Sequence, residues 1–283
     1  MCESRTTGPN GPTDWNSVNW RQTNRRVRVL RQRIFRAAQQ GDWKRVRSLQ
    51  KLMLRGYADR LLAVRPVTQT NHGKNTAGVD KVIVKTPKAR GELIDALGTY
   101  QSWRVRPVKR VYIPKAHGKV RPLGVLTITD RCLQAMVKNV LEPAWEARFE
   151  ATSYGFRPGR GCHDAIARIY TLARPGGRKK WAADADVEGA FDHLDHDLLL
   201  DTNGLVPGRE LIKQWLKAGY VEQGGRHATE EGSPQGGVIS PLLLNVELHG
   251  MEEALGVKRN GWSRIVSSRA VVRYANDFVV FCE

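Results

Sequence analysis

Residues 181–192 (WAADADVEGAFD) and residues 273–280 (RYANDFVV) are the two most informative segments of the chain. Both are largely apolar runs that read as β-strands, and each carries acidic residues. In the first run, alternation places Asp184 and Asp186 on one face of the strand. If the two strands bring their carboxylates together, they present the oxygen ligands that Mg²⁺ prefers. The sequence therefore predicts a sheet with a candidate metal site.

Residues 232–244 (GSPQGGVISPLLL) lie between these two runs. Pro234 and the adjoining glycines favour a tight loop with close backbone approach. The pattern then predicts a helix over residues 242–255. Residues 270–283 predict a hairpin that turns at Ala275 and Asn276.

The remaining patterns alternate between helical and extended segments. Helices are predicted over residues 18–40, from Asp42 to about Tyr57, from Asp130 to about Arg148, and over 162–173. Strands are predicted over 108–113 and 123–126, joined by a turn over 114–122. This alternation indicates a mixed α/β (α+β) fold.

The chain has 283 residues and a formal net charge of +18. Its first 60 residues hold 14 Lys and Arg against four Asp and Glu, a net of +10. Such an excess favours a polyanionic partner. A membrane partner is not expected, because no apolar run approaches 18 residues. The four cysteines lack metal-ligand spacing, which favours reduced cytosolic thiols.

Taken together and in order, these blocks resemble the reverse transcriptases encoded by bacterial group II introns. The resemblance includes W-x-x-x-A-D-V-x-G-x-F-D at 181–192, G-x-P-Q-G-G-V-I-S-P-L-L-x-N at 232–245, I-P-K-x-x-G-K-x-R-P-L at 113–123 and SYGFRPGRG at 153–161. It implies a right-hand polymerase with fingers and a palm built on an antiparallel sheet, preceded by a basic helical hairpin. The implied activity is RNA-directed DNA synthesis by two-metal nucleotidyl transfer, with an intron RNA-binding (maturase) role.

The resemblance also implies roles for particular residues. Asp186, Asn276 and Asp277 occupy the catalytic positions, and Asp186, Val187 and Asp277 those of the ligands to two Mg²⁺ ions. The incoming deoxynucleoside triphosphate is expected to meet Lys115, Arg121, Phe191 and Gln235, with Phe191 under the sugar. Arg25, Arg28, Arg31, Arg157 and Arg160 are expected to contact nucleic acid. The implied partners are an RNA template, intron RNA and a DNA primer.

The same comparison suggests how the chain divides. It implies that residues 15–69 form the basic helical extension, 70–180 the fingers with the start of the palm, and 181–283 an incomplete palm. Residues 1–14 are rich in Gly, Pro, Thr and Ser, and this composition predicts disorder. The helical thumb that follows in the family is not expected within this chain.

One position departs from the family pattern. Asn276 stands where the family usually has the first Asp of Y-A-D-D, so one negative charge is missing from the candidate metal site. Two readings remain open at this point. The chain is either a polymerase in which Asp186 and Asp277 suffice, or a catalytically impaired RNA-binding remnant or fragment of such an enzyme.

Overall fold

The computed structural model describes residues 11–99, 103–114, 120–260 and 265–283. Helices account for most of the regular structure. They are α1 (Trp20–Gln39), α2 (Trp43–Leu54), α3 (Tyr57–Arg65), α4 (Pro87–Gly98), α5 (Ile128–Glu146), α6 (Cys162–Ala173), α7 (His196–Asn203), α8 (Arg209–Leu216), α9 (Ser240–Glu247) and α10 (Met251–Ala254). No described helix is long and apolar enough to span a bilayer.

The first two helices form the predicted hairpin, and their ends follow from local chemistry. The side chain of Asn19 accepts from the Gln22 N–H at 3.0 Å, and that of Asp42 accepts from the Arg45 N–H at 3.0 Å. The expectation that the second helix continues to Tyr57 was wrong. It ends at Leu54, and Gly56 is extended before α3 begins.

Helix α5 is the central helix against which the hairpin packs. Its Pro143 has no N–H to donate to the carbonyl of Asn139, four residues earlier. Arg31 of α1 fills that vacancy with a hydrogen bond of 3.2 Å and pairs with Glu142. Gln50 of α2 donates to the Val140 carbonyl at 3.3 Å. Both hairpin helices are thereby joined to α5.

Two sheets carry the chemistry-bearing segments. The first has the order β2-β1-β4-β5 and the second the order β3-β7-β6. Their strands are β1 (Val108–Pro114), β2 (Val120–Val125), β3 (Trp181–Asp186), β4 (Tyr220–Glu222), β5 (Gly225–His227), β6 (Arg269–Tyr274) and β7 (Asp277–Cys282). All pairs in the second sheet are antiparallel, as predicted for a palm.

The main apolar core packs α5 against α7, α8 and α9. Its buried members include Leu141 and Trp145 of α5, Trp215 of α8, and Leu243 of α9. A second cluster holds the hairpin to α5 through Val27, Ile34, Leu49, Met53 and Val140, among others. The predicted helix over 242–255 is interrupted, because Gly250 adopts a φ of +101° between α9 and α10.

Candidate functional site

Strands β3 and β7 bring the two predicted carboxylates together. Asp186 and Asp277 are directly opposite each other in the antiparallel register, and both side chains are exposed. Directly opposed residues have Cβ atoms only about 4.5–5.5 Å apart. The predicted proximity of Asp186 and Asp277 is therefore confirmed. Asp184 lies two residues earlier in β3, on the same face as Asp186 and opposite Val279.

Asn276 lies in the two-residue turn between β6 and β7 and contacts Asp186 directly. Its Nδ2 donates a short hydrogen bond to Asp186 Oδ1, and its backbone carbonyl accepts from the Val187 N–H at 3.1 Å. A carboxylate in place of this amide would repel Asp186 unless a cation lay between them. The amide removes that repulsion and hydrogen bonds to one of the predicted ligand oxygens.

The turn at Ala275 and Asn276 is held from behind by residues of the quoted motifs to which the sequence assigned no role. Gly155 packs so closely that a Cβ there would lie 2.2 Å from the backbone N of Ala275. Asn245 donates to the Gly155 carbonyl at 2.9 Å, and Arg273 donates to Asn245 Oδ1 at 3.0 Å and to the Ala275 carbonyl at 3.1 Å. Burial lowers the pKa of Arg273 to about 10. These contacts bind the turn to α9 and to the loop at 153–157.

Three of the four predicted nucleotide-binding residues lie together. Arg121 donates from Nε to Gln235 Oε1 at 2.8 Å, and Gln235 donates from Nε2 to Asp192 Oδ2 at 3.4 Å. The loop that carries Gln235 is tied to Phe191, whose carbonyl accepts from the Ser233 N–H at 2.7 Å. Lys115 lies outside the described residues. A cavity of about 350 Å³ adjoins this group and includes Phe191 and Gln235 in its wall.

Phe156 is a further candidate that the sequence analysis missed. Its side chain is 47% exposed, and its ring lies edge-on to Phe191 with centroids 6.2 Å apart. Its φ of +59° is in the left-handed region, which bulky residues rarely adopt and which clusters at functional sites. Only the neighbouring glycines of SYGFRPGRG hinted at unusual backbone here.

Arg157 and Arg160 do not present free guanidinium groups. Arg157 is buried, pairs with Glu146 at 2.8 Å and donates to the carbonyls of Glu150 and Ser153. Arg160 is half-buried and donates to the Ala151 carbonyl at 2.6 Å. The predicted phosphate contact is not available to Arg157 in this conformation, because the loop uses the side chain for its own packing.

The predicted basic face of α1 is only partly available. Arg25 and Arg28 are exposed and point away from the core. Arg31 instead spans from α1 to α5 through Glu142 and Asn139. This structural role of Arg31 arises because Pro143 leaves the Asn139 carbonyl without a helical donor, and the contact of Arg31 with nucleic acid stays a prediction.

The candidate site offers a divalent cation few anionic ligands. Across the described ranges, no group of three or more His, Cys, Asp or Glu side chains is arranged to hold a metal ion. The donor chemistry still suits Mg²⁺, since two exposed carboxylates face each other beside an amide. With Asn at 276, the attraction for a cation is weaker by one charge.

Comparison with known proteins agrees with this arrangement. Residues 15–97 match the N-terminal domain of reverse transcriptase, and residues 113–283 match reverse transcriptase (RNA-dependent DNA polymerase). The group II intron-encoded protein LtrA of Lactococcus lactis subsp. cremoris is 38% identical over 193 residues, 65% of this chain and 31% of LtrA. Protein YkfC of Escherichia coli K12 is 34% identical over 253 residues, 84% of this chain and 60% of YkfC.

A solved chain of a partial Cas6-RT-Cas1–Cas2 complex is similar over 81% of this chain and 37% of that one, with a TM-score of 0.48 and 22% identity. The chain spans about a third of the length of LtrA and three fifths of that of YkfC. The matched reverse transcriptase region contains both facing carboxylates, the Gln235 loop and Phe191. The chain belongs to the reverse transcriptase (RNA-dependent DNA polymerase) family.

Proposed function

We propose that this chain forms the fingers and palm of an RNA-directed DNA polymerase of the group II intron type, with an intron RNA-binding role. The observation that carries the proposal is the pairing of Asp186 opposite Asp277, in a chain whose Arg121, Phe191 and Gln235 also assemble. Of the two relatives described above, one is named as a group II intron-encoded protein and the other as YkfC, so only the first name specifies an intron.

In this proposal the facing carboxylates hold Mg²⁺. Asp186 and Asp277 would be the anionic ligands, and the carbonyl of Val187 would be the neutral ligand beside them. Bound Mg²⁺ would supply positive charge where negative charge develops during phosphoryl transfer. The protein supports such a site by fixing the turn: Arg273 and Gly155 hold Ala275, and Ala275 precedes Asn276.

The nucleotide side of the proposal rests on the loop around Gln235. Arg121 offers a planar guanidinium suited to phosphate oxygens, and in this conformation its Nε is occupied by Gln235. An arriving triphosphate would compete for Arg121 and release Gln235 toward the nascent base pair. Phe191 would lie under the sugar, where an aromatic ring leaves no room for a 2′-hydroxyl.

The second candidate function is RNA binding without polymerisation. The hydrogen bond from Asn276 to Asp186 favours it, because the pair is satisfied without a cation. The exposed arginines of α1 serve this function equally well. For both candidates we propose RNA as a partner and the bacterial cytoplasm as the location. The described cysteines Cys132, Cys162 and Cys282 form no disulfide.

Primer extension with Asn276→Asp separates the two candidates. The restored carboxylate adds a negative ligand, so Mg²⁺-dependent extension of an RNA-templated DNA primer should rise at least about tenfold, equivalent to about 1.4 kcal/mol of barrier. Asp186→Asn in the same background is the matched control and should abolish the gain. The chain should be assayed alone and joined to the remaining C-terminal sequence of a longer relative.

The outcomes point in different directions. If the unmodified chain extends the primer and Asn276→Asp does not increase the rate, the amide is an adequate ligand. That result would contradict the hypothesis of a catalytically impaired remnant. No extension by Asn276→Asp in the longer background, with RNA binding retained, would contradict the polymerase.

A further inference from the structure

A cavity of about 370 Å³ lies between α2, the end of α5 and the segment that follows α7. Its wall includes Trp43, Arg47, Gln50, Arg148 and Leu205. None of the candidate metal or nucleotide residues lines it. Its volume lies in the range of small-ligand sites, so it can admit a flat ring system.

The mouth of the cavity combines aromatic surface with positive charge. Trp43, the first residue of α2, is 41% exposed. The guanidinium of Arg148 lies 5.6 Å from the Trp43 ring centroid and 4.1 Å from that of Trp145. Arg47 is exposed one turn further along α2. A flat ring could stack on Trp43 while a phosphate meets the two arginines.

Two further wall residues favour an occupant. Leu205 is 82% exposed, an unusual position for a large apolar side chain. Gln50 is 1% exposed and donates from Nε2 to the Val140 carbonyl, yet its Oε1 has no hydrogen-bond partner among the described residues. A buried acceptor of this kind is costly when unsatisfied. A bound ring that carries N–H groups could donate a hydrogen bond to Gln50 Oε1 after a change in the Gln50 rotamer.

The charge around the cavity distinguishes a nucleic acid from other occupants. Helix α2 contains no acidic residue between Trp43 and Leu54, and its cations Lys44, Arg45, Arg47 and Lys51 are exposed. An aromatic face set among cations is the arrangement that binds single-stranded nucleic acid, by stacking bases and neutralising phosphates. A duplex keeps its bases stacked inside and cannot use the Trp43 face.

We propose that this cavity binds an unpaired nucleobase of a single-stranded RNA, stacked on Trp43, with the adjoining phosphate on Arg47 and Arg148. The inference rests on RNA binding in the proposed function and adds to it a defined site outside the polymerase cleft. It needs no catalysis, so it applies to the active enzyme and to the remnant alike.

The test is fluorescence anisotropy with a labelled, unstructured ten-nucleotide oligoribonucleotide and with a duplex of the same sequence. Trp43→Ala should weaken single-strand binding about tenfold and leave duplex binding and its salt dependence unchanged. Trp43→Phe keeps an aromatic ring and should retain most of the affinity. Val29→Ala is the matched control, because Val29 is 44% exposed on α1 and does not line the cavity.

Several results would overturn the proposal. If Trp43→Ala bound single-stranded RNA with unchanged affinity, the cavity would not be a nucleobase site, and a protein segment would be the next occupant to test. An equal loss on the duplex would show that Trp43 acts through the fold, which melting curves of both Trp43 variants would also reveal. If the unmodified chain bound neither RNA, the RNA-binding role in the proposed function would fail as well, whereas indifference to Trp43 alone removes only this site.

Discussion

At the scale of single residues, the candidate site is governed by one substitution and one contact. Asn276 places an amide donor to Asp186 where the family pattern has an anion, so the candidate site has one negative charge fewer while Asp186 and Asp277 still face each other. Gly155 matters for a different reason. It allows the loop at 153–157 to lie against the backbone of Ala275, where any side chain would collide.

Gly155→Ala should destabilise the fold and displace the turn at Ala275 and Asn276. The added methyl group would meet the Ala275 backbone N at 2.2 Å, and neither backbone can move without disturbing the contacts of Arg273 and Asn245. Overpacking of this kind costs about 1–3 kcal/mol. Urea unfolding measures the loss.

Gly73→Ala is the control for that experiment, since its Cβ would find only Arg131 Nη1 at 3.8 Å. It should unfold within about 1 kcal/mol of the unmodified chain. Equal stability of the two variants would show that the Gly155 contact relaxes easily and does not hold the turn.

At the scale of elements, α5 organises the N-terminal half. Pro143 exposes a carbonyl that Arg31 binds, and Gln50 reaches the next carbonyl along the helix. Asp59 of α3 faces the same helix and accepts from Asn139 Nδ2 at 2.9 Å, while its Oδ2 has no partner within the described part of the chain. The packing of α1, α2 and α3 on α5 thus buries the carboxyl group of Asp59.

The buried Asp59 predicts a pH-dependent stability. Burial raises the pKa of this carboxyl to about 8, opposed in part by the Asn139 hydrogen bond and by Arg31. Between roughly pH 4 and pH 8 the folded chain holds a proton that the unfolded chain releases, so stability falls as pH rises, by at most about 1.4 kcal/mol per unit. Above the folded pKa the penalty is constant.

Asp59→Asn should remove that slope, because an amide is neutral at every pH in this range. Thermal melting at intervals from pH 5 to pH 9 measures it, with Asp14→Asn as a control on an exposed carboxyl. Parallel stability curves for Asp59→Asn and the unmodified chain would contradict a protonated Asp59.

At the scale of the whole molecule, positive charge and packing are combined in the same hairpin. Val27, Ile34 and Leu49 of α1 and α2 share an apolar cluster with Val140 of α5. Removing residues 1–60 would therefore uncover that core as well as remove charge. The role of the basic surface has to be tested with substitutions that leave the buried face of α1 intact.

Arg21, Arg25 and Arg28 recur along one exposed face of α1 and suit such a test. Changing all three to Gln should weaken RNA binding and reduce the slope of log affinity against log salt by up to about 0.7–0.9 for each lost phosphate contact. Lys213, Lys217 and Arg226, changed together to Gln, form an exposed control set outside the hairpin. An equal effect of both triple variants would mean that RNA responds to net charge and not to α1.

Local sequence patterns were enough to predict the strands that carry Asp186 and Asp277, the turn at Asn276, helix 162–173 and the order of the blocks. These features depend on periodicity and turn chemistry within a few residues, so they can be read locally. Which of the predicted arginines have free guanidinium groups depends on how the helices and loops pack. In the sequence, Arg31 and Arg157 look no different from Arg25 and Arg28. In the folded chain, Arg31 forms an ion pair with Glu142, and Arg157 forms one with Glu146. Tertiary structure also brought Gly155 to Ala275, since contacts between residues this far apart depend on how whole elements pack.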